Sequence, residues 1–290
     1  MASALAAPIF IVSPDGMLGR AWQALLEARG IECVGAAYPE LDIRDAASIE
    51  RHITERFRTV INCAGYTDVD GAETREADAD AVNATGVQLL AERCRAVSAV
   101  LSHYSTDYVF DGAATTPYKV GEARRPQNAY GRSKARGEEK LERSGCAYLN
   151  VRTSWLYAPW GKNFVDTIAK LAAERPVLRV VFDQRGRPTS AEYLAERTLA
   201  LLEHGARGHY HLTDGGECSW HEFASEIVRG TGSTARVDPC TAAEFARPAP
   251  RPAYSVLDLS ESEALIGPSR DWRENLADVL RARRNAASGQ

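Results

Sequence analysis

Pro8-Ile-Phe-Ile-Val12 is a short, unbroken apolar run. It is followed at once by Ser13-Pro14-Asp15-Gly16-Met17-Leu18-Gly19 and a helical pattern through Ala21, Leu25 and Leu26 that ends near Gly30. A strand apolar at every position is buried on both faces, the condition of a parallel sheet covered by helices. Strand, glycine turn and helix in that order make the start of a Rossmann unit, where a dinucleotide pyrophosphate sits on the N–H groups of the helix N-terminus. The expected spacing is Gly-x-x-Gly-x-x-Gly, and Ser13 stands in the first place. Gly16 remains where the backbone must approach phosphate, and Gly19 where helix and strand pack closely. The same glycines also suit an ordinary strand-to-helix turn.

The alternation continues. The second strand, Glu32-Cys-Val-Gly-Ala36, ends without the carboxylate that would bond the ribose 2′-hydroxyl of NAD, so NADP is permitted. Arg20 is either a partner for the 2′-phosphate or a solvated helix residue. Asp42, in Leu41-Asp42-Ile43, is either a helix cap or an adenine contact. Thr59-Val-Ile-Asn-Cys63 is a third strand, and the small residues Cys63, Ala64 and Gly65 at its end would let a cofactor lie close. Thr67 and Val69 come next, within reach of a substrate. A long helix is expected over 74–95. A fourth strand, 99–104, delivers Ser105-Thr106-Asp107 to the same crevice, and a fifth, 147–152, delivers Thr153-Ser154-Trp155.

This alternation implies an α/β fold class, a Rossmann-type doubly wound parallel sheet with a smaller mixed α/β C-terminal lobe. Residues 1–157 form the dinucleotide-binding domain, with about 190–213 returning to it, and 158–290 are mainly the substrate-binding lobe. In that second part a helix over 163–174 and a strand over 178–182 precede the polar stretch 183–190. His209 and His211 alternate with apolar residues on a strand, and with no third ligand nearby they read as strand histidines rather than a metal pair.

Tyr130-Gly-Arg-Ser-Lys134 carries the chemistry. Pro126 and Asn128 supply helix-start signals, and no proline interrupts the helical run after them. Tyr130 and Lys134 then project from one face. The ammonium is expected to favour the phenolate and so make the phenol a better proton donor. Hydride reduction of a ketone needs such a donor, because charge builds on the carbonyl oxygen. The bland alternative is the edge of an amphipathic helix.

A formal net charge of -4 with scattered basic residues leaves no nucleic-acid footprint. No apolar run reaches membrane-spanning length, and residues 2–8 are too short for a secretory signal. The six cysteines contain no C-x-x-C pair or zinc spacing, as in a reduced, cytoplasmic protein. No metal is expected.

Several blocks together resemble the dTDP-4-dehydrorhamnose reductase family of the extended short-chain dehydrogenase/reductase superfamily. They are Ser105-Thr-Asp-Tyr-Val-Phe-Asp-Gly112, Tyr130-Gly-Arg-Ser-Lys134, Val151-Arg-Thr-Ser-Trp-Leu-Tyr157, Asp183-Gln-Arg-Gly-Arg-Pro-Thr189, His211-Leu-Thr-Asp-Gly-Gly-Glu-Cys-Ser-Trp220 and Arg251-Pro-Ala-Tyr-Ser255. The resemblance implies hydride transfer from NADPH, with NADH as the alternative, to the C4 ketone of dTDP-4-dehydro-L-rhamnose. It implies Tyr130 as proton donor, Lys134 on the nicotinamide ribose and Thr106 on the same C4 oxygen. It also implies Thr67, Val69, Thr106, Asp107, Tyr108 and Trp155 at the sugar. Gly16, Met17, Leu18, Gly19, Asp42, Ile43, Cys63, Ala64, Gly65, Tyr130 and Lys134 would meet the cofactor. Some relatives dimerise through magnesium. Glu192 matches one such place, but the tail 281–290 has no carboxylate side chain, so a monomer or a homodimer without that bridge is expected. Two rival readings remain: an NAD-dependent nucleotide-sugar epimerase or dehydratase, and a non-catalytic relative like the methionine adenosyltransferase β subunit.

Overall fold

The computed structural model describes residues 8–287. Most of the segment judged too short for a leader, and the last three residues of the carboxylate-free tail, lie outside the described residues. The first half runs β1 (Ile9–Val12), α1 (Met17–Ala28), β2 (Cys33–Ala36), α2 (Ala46–His52) and β3 (Thr59–Asn62). It continues through α3 (Val69–Ala72), α4 (Glu76–Asp80), α5 (Val87–Ala96), β4 (Val100–Thr106), α6 (Ala129–Arg143) and β5 (Tyr148–Thr153). The second half opens with β6 (Leu156–Tyr157), α7 (Phe164–Glu174), β7 (Val177–Val181), β8 (Arg185–Gly186), β9 (Thr189–Ser190) and α8 (Ala191–Glu203). It closes with β10 (Gly208–His211), β11 (Cys218–Ser219), α9 (Trp220–Thr231), β12 (Arg236–Cys240), α10 (Ser260–Ile266) and α11 (Trp272–Ala287).

Six strands make one parallel sheet in the order β10-β5-β4-β3-β1-β2. Every residue of β1 and β3 is buried, which is why those strands carry no polar alternation. Trp22 and Leu26 of α1 and Leu194 and Leu199 of α8 cover one face. Ile49 of α2, Leu90 of α5 and Leu141 of α6 cover the other with Phe10. The strand order reverses between β1 and β3, so a crevice opens there at the carboxyl edge. A separate core of Ile168, Leu178, Phe223, Trp272 and Leu276 holds the lobe, whose sheet pieces are the pairs β7–β12, β8–β11 and β6–β9.

Two local expectations differ from the structure. The helix expected over 74–95 is broken, because a π-helical turn, Ala81–Gly86, separates α4 from α5. That wider turn lets the side chain of Asn83 leave the helix and bond elsewhere. Asp42 does not cap α2. The cap is Asp45, which accepts from the Ala47 N–H, while Asp42 accepts a bidentate guanidinium from Arg44 at 2.7 and 2.8 Å.

Candidate active site

Helix α6 is fixed at its first turn from three directions. The Asn128 side chain accepts from the Gly131 N–H at 2.8 Å and donates to the carbonyl of Pro250 at 2.9 Å. The Ala129 N–H donates to Glu73 at 2.7 Å. Helical spacing then brings Tyr130 and Lys134 to one side, facing the end of β4. Lys134 is buried, and its Nζ donates to the Tyr104 carbonyl at 3.0 Å. Across from it, a methyl group on Gly65 would stand 3.1 Å from that nitrogen, so a side chain there would crowd the ammonium. Burial pushes the Lys134 ammonium down to about 8, with Glu138 one turn along opposing the shift.

Tyr130 is half-buried and its ring meets Tyr108 edge-on, with centroids 5.8 Å apart. Burial pushes its phenol up to about 12, against a hydrogen bond with Thr106. The expectation that Lys134 would favour the phenolate is therefore corrected. In this state the ammonium is spent on the Tyr104 carbonyl, burial dominates, and Tyr130 keeps the proton it would donate. The Thr106 hydroxyl donates to Asp107 Oδ1 at 2.9 Å and accepts from the Tyr108 N–H at 3.2 Å. Asp107 itself is buried, which pushes its carboxyl up to about 7.

The glycine turn faces the same edge. Gly16 is the N-cap of α1, no side chain caps that terminus, and no acidic residue lies in the first turn, so its N–H groups remain for an anion. Ser13 adopts φ +56, the left-handed conformation that the missing glycine would take without strain. A Cβ on Gly19 would strike the Ser13 carbonyl and the Pro14 backbone. Asp15 is exposed, which turns its charge to water. Met17 is half-buried, and its carbonyl accepts from the Trp160 indole at 3.1 Å; Leu18 belongs to the core. Arg20 lies over the Trp160 ring, 4.9 Å from its centroid, beside the turn. Cys63, Ala64 and Gly65 are half-buried after β3, and Ile43 is buried.

Thr67 is exposed and Val69 half-buried at the start of α3. Trp155 has φ +47, and its indole stacks on Trp220 of the lobe with centroids 3.5 Å apart and planes 10° from parallel. Three features were not singled out from the sequence. Buried Asn83 accepts from the Tyr66 N–H at 2.9 Å and donates to the Tyr66 carbonyl and the Ser133 hydroxyl, each at 3.0 Å, tying the loop after β3 to α6. Ser133 in turn donates to the Tyr130 carbonyl at 2.8 Å. Asp70 accepts from Arg251 at 2.5 Å and Arg247 at 2.9 Å, joining the first half to the segment after β12. No spacing signal announces these contacts.

Among the described residues, Glu138, Glu142 and His209 converge closely enough to suggest a cation. Arg152 and Arg124 already meet Glu138 at 2.7 and 3.0 Å, and Arg124 also meets Glu142 at 2.6 Å, so the carboxylates are matched by guanidinium charge. His211 is buried, with its ring against the Asp258 carbonyl. No described helix is long and apolar enough to cross a membrane.

A doubly wound parallel sheet, a glycine turn at its first strand and a Tyr-x-x-x-Lys helix facing a strand-end threonine define an extended short-chain dehydrogenase/reductase. More narrowly, the chain belongs to the family described as the RmlD substrate binding domain, whose model matches residues 7–285. It is 42% identical over 289 residues to a dTDP-4-dehydrorhamnose reductase of Mycobacterium tuberculosis, covering 97% of this chain and 94% of that one. It is 41% identical over 284 residues to one from Streptomyces griseus, covering 94% and 92%. Its fold matches the crystal structure of a dTDP-4-dehydrorhamnose reductase from Clostridium acetobutylicum with a TM-score of 0.92 and 38% identity, over 95% of this chain and 99% of that one. A Bacillus anthracis dTDP-4-dehydrorhamnose reductase crystallised with NADP matches with a TM-score of 0.91 and 34% identity, over 94% and 98%.

Proposed function

We propose that this protein reduces the C4 ketone of dTDP-4-dehydro-L-rhamnose, or of a close 4-keto-6-deoxysugar nucleotide, giving dTDP-L-rhamnose in the first case. The observation that carries the reading is the meeting of Tyr130, Thr106 and Lys134 at the carboxyl edge of the sheet, beside a glycine turn. Relatives about two-fifths identical over nearly the whole chain are named for this reaction.

The uncapped first turn of α1 and the approach left open by Gly65 fit a dinucleotide. Bound there, NADPH supplies the hydride. In this reading Gly16, Met17, Leu18 and Gly19 cradle its phosphates, Asp42 and Ile43 border the adenosine, and Cys63, Ala64 and Gly65 line the path to the nicotinamide. Lys134 holds the nicotinamide ribose. Tyr130 gives its proton to the C4 oxygen, and the burial that raises its pKa keeps the proton in place at neutral pH until the oxygen becomes basic. Thr106 bonds the same oxygen and thereby stabilises the charge developing there. Thr67, Val69, Asp107, Tyr108 and Trp155 border the sugar. Residues 1–157, with about 190–213, carry the cofactor, and 158–290 mainly the substrate. The enzyme would act in the cytoplasm, as a monomer or homodimer.

The test is NADPH absorbance with dTDP-4-dehydro-L-rhamnose and NMR of the product. Substrate-dependent oxidation with formation of dTDP-L-rhamnose supports the reading. Redox-neutral isomerisation or elimination, or no turnover, contradicts it.

A further inference from the structure

Trp155 leaves β5 two residues after Thr153, which lies beside Thr106 in the sheet. Its backbone is left-handed, at φ +47, a conformation that a bulky residue keeps only where its surroundings hold it. The Ser154 hydroxyl donates to the Arg187 carbonyl at 2.6 Å, and the Trp155 carbonyl accepts from the Thr189 N–H at 3.2 Å. The strained turn is thus pinned to the stretch 185–190.

The indole is held as firmly. One face lies on Trp220, with centroids 3.5 Å apart and planes 10° from parallel. A Cβ on Gly186 would stand 2.6 Å from Cε2, 2.7 Å from Cζ2 and 2.8 Å from Nε1 of Trp155. Three adjoining ring atoms at nearly equal distance place that glycine over the ring rather than at its rim. Trp220 fills one face, so Gly186 covers part of the other. The two are joined to each other, because β8 and β11 pair Gly186 with Cys218 and Arg185 with Ser219. A capping box of Ser219 and Glu222 fixes Trp220 as the first residue of α9, and Arg185 meets Glu222 at 3.3 Å. Phe164 of α7 packs against Trp220 with centroids 4.5 Å apart. A clamp built from the second half of the chain therefore grips a ring delivered by the central sheet. Trp155 is still only half-buried, so part of its ring remains open to a ligand.

We propose that Trp220 and Gly186 are positioning residues, which set the place of the Trp155 indole and through it the hold on the sugar. This rests on the reading of the site as a sugar-nucleotide reductase with Trp155 beside the sugar. A ring packed on the apolar side of a deoxysugar gains by dispersion, and a gap of about 1 Å forfeits up to half of such a contact. An indole free to turn would also have to be ordered at each binding event, which weakens affinity. Gly186 serves here by its lack of a side chain, since its φ is not positive and the ring above it leaves no room for a Cβ.

Steady-state kinetics and the indole N–H signal of Trp155 in NMR, assigned with Trp155→Phe, test the proposal. Trp220→Ala should raise KM for dTDP-4-dehydro-L-rhamnose about two- to tenfold, the scale of one aromatic contact, and leave kcat and the KM for NADPH unchanged. Trp220→Phe, which keeps a stacking ring, should recover most of that loss. In a Trp155→Ala background, Trp220→Ala should change KM no further, because its effect runs through the missing indole. The full effect persisting in that background would overturn the proposal, as would a parallel loss in kcat and in both KM values. Gly186→Ala must displace the ring from Trp220, so it should shift the Trp155 signal and raise the same KM; an unshifted signal overturns the clamp. If Trp220→Ala does not fold, the wild type decides. dTDP-L-rhamnose should move the Trp155 signal and dTDP alone should not, and identical spectra with the two ligands would overturn the proposal. A wild type that neither binds nor turns over the sugar nucleotide would count against the functional reading, and the Trp155 signal in Gly186→Ala would then decide the clamp by itself.

Discussion

Lys134 Nζ donates to the carbonyl oxygen of Tyr104 at 3.0 Å, two residues before Thr106 on the same strand. That bond joins α6 to β4 one helical turn from Tyr130. From the loop after β3, a Cβ at Gly65 would stand 3.1 Å from the same nitrogen and crowd it.

Ser13 holds a left-handed backbone that costs a residue with a Cβ on the order of 1 kcal/mol. Ser13→Gly should raise stability by up to that amount, read as the urea midpoint at constant m. Affinity for NADPH, measured by titration calorimetry, should be equal or better. A marked loss of NADPH binding would mean that the Ser13 hydroxyl itself holds the ligand.

Asp70 ties the first half of the chain to the segment 247–251. Burial pushes its carboxyl up, but hydrogen bonds from Arg251, the Ala249 N–H and Arg247 outweigh that and hold it at about 2. A carboxyl depressed in the folded state contributes stability above its unfolded pKa of about 3.9, and that contribution is lost as pH falls through about 2. Asp70→Asn should therefore destabilise the protein at pH 7 by about 1.5–3 kcal/mol, the range for hydrogen bonds to charged groups. The deficit should shrink in acid. Equal denaturation midpoints at pH 7 would show the clamp to be idle.

Much of this was legible in the sequence because it rests on periodicity and punctuation. The wholly apolar β1, the close packing of Gly19 on the Ser13–Pro14 backbone, and Asn128 before α6 each act locally, and each takes in the structure the place its pattern predicts. What was not legible depends on partners far along the chain. Asn83 reads as an ordinary helix residue until Tyr66 and Ser133 are beside it, and its π-helical turn has no periodic signature. A cap at Asp42 fails because two aspartates precede α2, and only the backbone geometry at Asp45 decides which one caps. Easy ionisation of Tyr130 fails because the sequence cannot tell how deeply a phenol is buried, and burial outweighs a cation already bonded elsewhere.

Asp214 is a buried carboxyl that accepts from Tyr157 at 3.1 Å, and burial pushes it up to about 8. In the unfolded chain it ionises near about 3.9, so between those values the folded state binds more protons. Stability should fall as pH rises from about 4 to about 8, and Asp214→Asn should flatten that decline. Thermal unfolding across this range checks it, and a decline as steep in the variant as in the wild type would remove Asp214 as its cause.

The central claim is that the phenol of Tyr130 supplies the proton for reduction of a sugar ketone. Its most direct test is single-turnover hydride transfer from NADPH to dTDP-4-dehydro-L-rhamnose by Tyr130→Phe, with NADPH affinity measured in parallel. The account predicts a rate about 10²- to 10⁴-fold below wild type with cofactor binding retained, the range for a lost general acid. A rate within a few-fold of wild type would contradict it.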